Sequence, residues 1–386
     1  MNLMLGCTIQ VHIGFMQSDI RLSRSDIKIK DYISVINCLR DGMLGMGKYV
    51  KDFEDLLQDY FSSNVVCVSS GTSALHLALE ALNFERGSEV LVPSLTYLAT
   101  FQAIKAAGLK PRPVDIDITS GNINIENLDN AFNSSCKAII PVLYAGNTSH
   151  YRDILQWANK KSLRVISDAA HAFGSKDSSE LVGSFGDITC FSFDGIKNIT
   201  SGEGGCVVSQ DLNLINTVKD KRLLSVNKDS EMRYTNKRSW EFDVYSQGWR
   251  YHMSNVHASI GISQFKRRNK FFKKRQLIAK YYDTLLSNSK VVSIFKRNYD
   301  EVVPHIYPVI IKSGFERKYL IEYLNQQKIQ VGIHYKPNHQ LTYFKSEDSL
   351  VNTEKLYPKL LSLPLHTLLS FKQVRYIVSK INSYSN

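Results

Sequence analysis

Short apolar runs alternate with stretches of helical periodicity over the first half of the chain. The runs VVCVSS (65–70), EVLVPS (89–94), KAIIPVLY (137–144), LRVISDAA (163–170) and ITCFSFD (188–194) are predicted strands. Helix-like segments follow the first three, namely SALHLALEAL, YLATFQAIKAAG and HYRDILQWANKK. Strands that are separated by single helices indicate right-handed crossovers. The pattern therefore predicts an α/β fold, with a mainly parallel sheet flanked by helices.

The pattern changes near residue 255. Two helical stretches, HASIGISQFKRR and LIAKYYDTLL, precede the strand-like runs VVSIF, IYPVII and KIQVGIHY and a last helix, FKQVRYIVSKI. We therefore predict a large domain over residues 17–254 and a smaller α+β domain over residues 255–386, joined by a long helix. Residues 1–16 are predicted to be an N-terminal extension, because Met16 opens a more ordinary sequence.

Composition excludes several classes of protein. No run of about 18 apolar residues is present, so no membrane insertion is expected. The six cysteines form no C-x-x-C pair, which argues against a zinc site or a disulfide framework and favours a reducing cytoplasm. A net charge of +12 suggests an anionic partner, but it does not separate nucleotide, phospholipid and nucleic acid.

The turn SSGTSAL stands between a predicted strand and a predicted helix. Its residues Gly71, Thr72 and Ser73 would present free backbone N–H groups and the positive end of the helix dipole, a geometry that binds phosphate. The alternative is an ordinary capped turn. There is no Walker lysine, and no G-x-G-x-x-G follows a strand, so a nucleoside triphosphate or a dinucleotide is disfavoured.

Asp168 ends the apolar run LRVIS, and His171 follows three residues later. A carboxylate in an apolar layer is costly unless it meets a positive charge or hydrogen-bond donors. A pyridinium nitrogen would be such a partner. The alternative is a helix-capping aspartate followed by a core histidine.

Lys197 stands between an aromatic run and the glycine-rich turn SGEGG. A lysine near other cations or an apolar wall has a lowered pKa, and its neutral amine can form a Schiff base with an aldehyde. Ser192 could add a hydroxyl to a phosphate site, and Gly202, Gly204 and Gly205 allow the backbone to pass close to a bound molecule. The alternative is a solvated surface lysine.

Together these motifs resemble the DegT/DnrJ/StrS family of pyridoxal-phosphate (PLP) sugar aminotransferases, from about residue 20 to the C-terminus. The resemblance is carried by SSGTSALHLAL, VPSLTYLAT, PVDID, SDAAHAFGS, GSFGD, FSFDGIKNITSGEGG, GWRYHMSN, IHYKP and LPLH, in this order. It implies a fold type I transferase that forms a homodimer with active sites at the subunit interface. It also implies transfer of an amino group from glutamate to a nucleotide-linked keto-sugar, for surface polysaccharide or related glycoconjugate synthesis.

The resemblance also implies roles for individual residues. Lys197 would bind the cofactor aldehyde and act as acid and base, and Asp168 would pair with the pyridine nitrogen. The other implied contacts are Tyr97 stacked on the ring, His171 near its phenolic oxygen, and Gly71, Thr72, Ser73 and Ser192 around the phosphate.

The chain departs from the family pattern at GWRYHM. Arg250 and His252 stand in a block where many relatives have G-y-N-y-R, whose asparagine reaches the phosphate of the partner subunit. An arginine there could clamp an anion. Ser167 replaces the usual glutamate before Asp168, and LLSVNKD replaces the frequent R-N-H-G segment. These changes concern substrate contacts and leave the expected reaction type intact.

Two alternative functions remain open at this point. The first is a dehydratase of the same fold, in which a histidine replaces the lysine; Lys197 argues against it. The second is a basic regulatory or DNA-binding protein, suggested by KRRNKFFKKR (266–275). No helix-turn-helix or zinc module accompanies that run, and we predict instead an outer helix face with Phe265, Phe272 and Leu277 packed inward.

Overall fold

The computed structural model describes residues 19–238 and 240–385, so the predicted extension over residues 1–16 lies outside the described residues. The strands are β1 (Asn64–Val68), β2 (Glu89–Pro93), β3 (Lys110–Val114), β4 (Cys136–Ile139), β5 (Arg164–Asp168), β6 (Lys176–Asp177), β7 (Glu180–Leu181), β8 (Ile188–Ser192), β9 (Gly205–Ser209), β10 (Val292–Ile294), β11 (Tyr307–Ile311) and β12 (Leu360–Leu363). The helices are α1 (Ile29–Asp41), α2 (Lys48–Phe61), α3 (Gly71–Leu82), α4 (Leu98–Ala106), α5 (Ile125–Ala131), α6 (Tyr151–Lys160), α7 (Leu212–Lys221), α8 (Asp229–Tyr234), α9 (Asn255–Phe265), α10 (Arg268–Leu286), α11 (Arg317–Gln326), α12 (Val351–Leu356) and α13 (Phe371–Asn382).

A seven-stranded sheet with the order β1-β9-β8-β5-β4-β2-β3 forms the centre of the molecule. Its pairs are parallel except for β9, which runs antiparallel to both of its neighbours, β1 and β8. The predicted mainly parallel α/β fold is therefore confirmed. The carboxyl ends of β5 and β8 lie side by side, because these two strands pair in parallel.

Both faces of this sheet are buried. In β1, Val66 and Val68 belong to the core cluster that includes α3 and α4, whereas Val65 and Cys67 belong to the cluster that includes α2 and α9. Successive side chains of a strand point to opposite faces, so helices must cover both sides. This explains why the strand sequences are continuous apolar runs.

The C-terminal part contains a three-stranded antiparallel sheet, β10-β11-β12. The predicted strands VVSIF and IYPVII correspond to β10 and β11. The predicted strand KIQVGIHY is wrong: its residues make only isolated bridges, one between Ile329 and Ile20 and one between Gly332 and Ser362. Because these bridges join two different neighbours, no continuous ladder forms among the residues that the structure describes.

Helix α10 passes from one hydrophobic core to another. Phe271 and Phe272 pack in the core of the large sheet together with α9, whereas Ile278 and Tyr282 pack against the C-terminal sheet. The predicted domain boundary after residue 254 stays a prediction, and the packing of α9 with the first core favours a boundary inside α10.

The expectation for the basic run is only partly correct. Phe265 and Phe272 are buried as predicted, but Leu277 is 44% exposed. Its side chain points away from the face that Phe272 and Ile278 bury. Several cations of this run are also used within the fold: the guanidinium of Arg268 lies 4.0 Å from the ring centroid of Phe265.

Candidate active site

A cavity of about 460 Å³ opens at the carboxyl ends of β5 and β8, beside the first turn of α3. Open parallel sheets bind ligands at this edge. Asp168, Lys197 and Tyr97 line the cavity, and so do Thr72 and Ser192. The fold thus brings together residues that are up to 125 positions apart in the sequence.

Lys197 lies in the loop between β8 and β9. These strands are antiparallel neighbours, and Ser192 pairs with Gly205, so the loop closes tightly. The N–H of Lys197 donates to the carbonyl oxygen of Asp194 at 3.1 Å. The next side chain, that of Asn198, donates to the carbonyl oxygens of Phe173 and Val303, at 3.0 and 3.1 Å. These contacts fix the backbone from which the lysine side chain extends.

Burial lowers the pKa of the Lys197 amine to about 8. The carboxylates of Asp168 and Asp194 oppose this shift, and the guanidinium of Arg275 adds to it. A fraction of the amine is therefore neutral near neutral pH, which a nucleophilic amine requires.

Asp168 ends β5 and is only 7% exposed. Its Oδ2 accepts a hydrogen bond from Thr100 Oγ1 at 2.8 Å, and its Oδ1 accepts one from the N–H of Ala170 at 3.2 Å. Burial raises the pKa of the carboxyl group, against the opposing effect of these two donors and of Lys197. A buried carboxylate of this kind gains most from a cationic partner in the cavity.

His171 is buried and lines the same cavity. Its Nδ1 accepts the N–H of Ala145 at 3.3 Å, and its Nε2 lies 3.0 Å from the hydroxyl of Tyr335. Burial, reinforced by Lys197 and His334, holds its pKa well below the ordinary value. The ring is therefore neutral, with its proton on Nε2.

The turn at the start of α3 lies close to the end of β8. Ser70 caps the helix by accepting the N–H of Ser73 at 3.1 Å, and a Cβ on Gly71 would lie 2.8 Å from Cβ of Ser192. Only glycine fits there, so the first turn of α3 lies directly against Ser192. The N–H groups of a first helical turn have no carbonyl partner within the helix and can bind an anion.

The structure does not bring every predicted residue to the cavity. The hydroxyl of Ser73 donates to the carbonyl oxygen of Ser70 at 2.8 Å and accepts the N–H of Ser70 at 2.9 Å, so the helix cap uses it. Ser73 does not line the cavity. Tyr97 does line it, 54% exposed, with its ring centroid 5.5 Å from that of Tyr335.

Arg250 and His252 also lie outside the cavity of the single chain. Each residue makes an isolated backbone bridge. Arg250 pairs with Leu223, which follows α7, and His252 pairs with Val68 at the end of β1. Burial, together with nearby arginines, lowers the pKa of His252 to about 4, so this ring is neutral. Their predicted contact with a phosphate stays a prediction, because it requires a second subunit.

Several residues of the site were given no role from the sequence. Thr96 and Thr100 stand four positions apart, and their hydroxyls lie 3.0 Å from each other behind Asp168. Tyr335 and His305 come from the C-terminal half and approach His171 and Lys197. Only the four-residue spacing of the two threonines after β2 was readable from the sequence.

The comparisons with known proteins agree with this geometry. Residues 26–382 match the DegT/DnrJ/EryC1/StrS aminotransferase family, and the chain belongs to this family. The assignment from the sequence motifs is therefore confirmed.

Two relatives with assigned reactions are each 33% identical to this chain. One is UDP-4-amino-4,6-dideoxy-N-acetyl-beta-L-altrosamine transaminase of Campylobacter jejuni, with 93% of this chain and 95% of that protein covered. The other is GDP-perosamine synthase of Escherichia coli, with 92% and 95% covered. The match extends over nearly the full length of both relatives.

Solved structures support the fold assignment. PseC of Helicobacter pylori, an aminotransferase of pseudaminic acid biosynthesis, superposes with a TM-score of 0.88 at 26% identity, covering 94% of this chain and 98% of that one. A Streptococcus pneumoniae protein described as a sugar aminotransferase, in its PMP form, gives 0.87 at 28% identity, with 95% and 98% covered. The same protein is also solved in a PLP form.

Proposed function

We propose that the protein is a PLP-dependent aminotransferase that moves an amino group from glutamate to a nucleotide-linked 4-keto-deoxysugar. The observation that carries the proposal is the convergence of the Lys197 amine, the Asp168 carboxylate and the first turn of α3 on one cavity. The choice of C4 rests on relatives whose names specify a 4-amino sugar, including the Campylobacter jejuni transaminase. A second such relative, UDP-4-amino-4-deoxy-L-arabinose–oxoglutarate aminotransferase of Shewanella sediminis, is 30% identical, with 94% of this chain and 97% of that protein covered.

The cavity fits the three polar ends of PLP. Asp168 suits a protonated ring nitrogen, because its buried carboxyl group gains most from a cation. The first turn of α3, with Thr72 and Ser192, suits the phosphate, and glycine at position 71 lets this turn lie directly against Ser192. Lys197 suits the aldehyde. When bound, PLP supplies the carbonyl that takes up an amino group and a ring that accepts electrons.

The protein side chains then position the reactants and move protons. With a pKa of about 8, the Lys197 amine can release a proton and take one up at neutral pH. His171 stays neutral and holds the hydroxyl of Tyr335, which faces the ring of Tyr97. Both half-reactions use this one cavity.

The proposal includes a homodimer in the cytoplasm. The exposed face of α1 carries Tyr32, Ile33 and Ile36, an apolar surface suited to a second subunit. Buried free cysteines suit a reducing compartment. The product would serve surface polysaccharide or glycoconjugate synthesis. Among the described residues no helix is long and apolar enough to span a membrane, and no group of three or more candidate ligands could hold a metal ion.

Replacing the lysine tests the proposal. Lys197→Ala should fold normally by circular dichroism and lose amino transfer by at least about 1000-fold, because the nucleophile and acid–base group is gone. Lys137→Ala, which changes an exposed lysine outside the cavity, should keep full activity. Borohydride reduction of the wild-type enzyme loaded with PLP should label the peptide that contains residue 197. Transfer retained by Lys197→Ala would overturn the assignment.

Product analysis separates the proposal from the dehydratase alternative. A GDP-4-keto-6-deoxymannose-3-dehydratase also superposes with a TM-score of 0.86 at 25% identity, covering 94% of this chain and all of that one, so the fold does not distinguish the two reactions. We expect an amino sugar and 2-oxoglutarate from 4-keto substrates, and much slower turnover of 3-keto substrates. A deoxygenated sugar with free ammonia would instead support the dehydratase.

A further inference from the structure

The amine of Lys197 lies close to a histidine that is 108 positions further along the chain. Nε2 of His305 lies 3.5 Å from Nζ of Lys197. His305 is buried just before β11, and its ring centroid is 4.6 Å from that of His171, at an angle of 48°. The imidazole therefore contacts the reacting nitrogen without itself lining the cavity.

One ring nitrogen of His305 is not committed to another group. Within residues 19–238 and 240–385, Nδ1 of His305 has no hydrogen-bond partner. His171 differs, because its Nδ1 accepts the N–H of Ala145 and its tautomer is thereby fixed. The orientation of the His305 ring is thus linked through a polar contact to Lys197.

The proximity of the two residues is enforced by their backbones. One guanidinium, that of Arg275, donates from Nη1 to the carbonyl oxygen of His305 at 3.0 Å and from Nη2 to that of Lys197 at 3.4 Å. It also contacts the carbonyl oxygens of Pro304 and Ile196. Arg275 is buried on α10, so the loops that carry both side chains are fixed to the same helix.

The electrostatic surroundings keep the imidazole uncharged. The charged and titratable groups that act on the two side chains are Asp168, Asp194, His171, His334 and Arg275. Burial, followed by the effects of Lys197 and His171, holds the pKa of His305 well below its ordinary value. A neutral ring beside an ammonium group offers its lone pair, and Nε2 is the atom that faces Nζ.

We propose that His305 is a positioning residue, whose Nε2 accepts a hydrogen bond from the free amine of Lys197 and directs that amine into the cavity. The inference rests on the role proposed for Lys197. The amine is free during both half-reactions, when it must hold and return a proton at a defined position. A hydrogen bond at the reacting end of a long, flexible side chain increases the fraction of time that the amine spends in the productive rotamer.

The first test uses the cofactor-free protein, in which the amine is free. The reactivity of Lys197 toward acetic anhydride is measured against pH by peptide mass spectrometry, and in the wild type the midpoint should lie at about 8. His305→Asn shortens the side chain and removes the acceptor, so the ammonium form loses a stabilising contact and the midpoint should move to lower pH. His305→Gln, whose amide can reach the position of Nε2, should keep the wild-type midpoint. His150→Asn, a histidine change outside the cavity, should also keep it.

The second readout is the half-reaction with glutamate. His305→Asn should bind PLP normally but convert it about 10- to 100-fold more slowly, as expected for a lost positioning contact. His305→Gln should recover most of that rate. Equal midpoints and equal rates in the Asn and Gln variants would overturn the inference. That outcome would leave the proposed function intact, which fails only if Lys197→Ala keeps amino transfer or borohydride leaves residue 197 unlabelled.

Discussion

Burial shifts the pKa values of Lys197 and Asp168 in opposite directions. It lowers that of the amine to about 8 and raises that of the carboxyl group. Both shifts disfavour the charged form, so the protein alone stabilises this pair poorly. A ligand with a cationic nitrogen near Asp168 would offset that cost. Burial of these two groups therefore lowers the stability of the cofactor-free protein, and a bound cationic ligand would restore part of it.

This cost leads to a prediction for Asp168→Asn. The folded-state pKa of Asp168 is raised, so above the ordinary value of 3.8 the unfolded chain releases this proton more readily, and ionisation favours unfolding. Asparagine removes the charge and keeps an acceptor for the N–H of Ala170. The cofactor-free variant should therefore melt at a higher temperature than the wild type at pH 7. The difference should shrink as the pH falls toward 3.8.

The same variant should lose activity by about 100-fold or more, because a preorganised charge is lost. Asp153→Asn, an exposed change on α6, is the control and should alter stability by less than about 0.5 kcal/mol. If the cofactor-free Asp168→Asn protein melts below the wild type at pH 7, burial does not act on this carboxyl group as described.

A buried ion pair connects α2, β1 and the end of α7. Nη1 of Arg222 donates to Oε1 of Glu54 at 2.5 Å and to the carbonyl oxygen of Cys67 at 2.6 Å, and the same Oε1 accepts the N–H of Cys67 at 2.7 Å. Both side chains are at most 2% exposed. The pair therefore fixes β1 just before the turn at Ser70 that begins α3.

Breaking this pair on one side should be costly. Arg222→Met leaves the Glu54 carboxylate buried without its cation, and we expect the free energy of unfolding to fall by about 3–5 kcal/mol. Urea denaturation measures this loss. The double variant with Glu54→Leu should recover part of it, since no unpaired charge remains. A single variant within about 1 kcal/mol of the wild type would show that water reaches the carboxylate.

Most strands with clear apolar runs were predicted, although the short apolar strands β9 (GCVVS) and β12 (LLSL) were missed. The missed strand β3, KPRPV, contains two prolines, which strands tolerate at a sheet edge, and within the described part of the chain β3 pairs only with β2. The run KIQVGIHY looks like a strand but finds no continuous partner. Strand propensity is local, whereas pairing depends on which neighbours the whole fold provides.

The location of a site residue could be predicted from the sequence where that residue ends or follows a predicted strand. Asp168 and Lys197 end or follow predicted strands, so topology alone brings them to the same edge of the sheet. Ser73 as a phosphate ligand stays a prediction: its hydroxyl caps α3, and capping and phosphate binding share a signature at a helix start. The contact of His305 with Lys197 spans 108 positions and depends on how the C-terminal part packs, which no local pattern encodes.

Helix α10 connects two of the hydrophobic cores of the molecule. Phe272 packs in one core, Tyr282 in the other, and Arg275 between them contacts the loops of Lys197 and His305. A movement of the C-terminal part relative to the large sheet would therefore act on both site residues. His334 and Tyr335, which also line the cavity, come from the same C-terminal part.

The apolar surface of α1 gives the last prediction. Tyr32, Ile33 and Ile36 are about half exposed on consecutive turns, which is costly for a helix that stays in water. If this face packs against a second copy of the chain, Ile33→Glu buries a charge at the interface and should shift the protein to monomers in size-exclusion chromatography with light scattering. Activity should fall with the dimer if Arg250 and His252 contact a phosphate of the partner subunit, as the sequence predicts. Tyr319→Glu, an equally exposed position on α11, should leave both dimer and activity unchanged. An Ile33→Glu protein that remains dimeric would assign the interface to another surface.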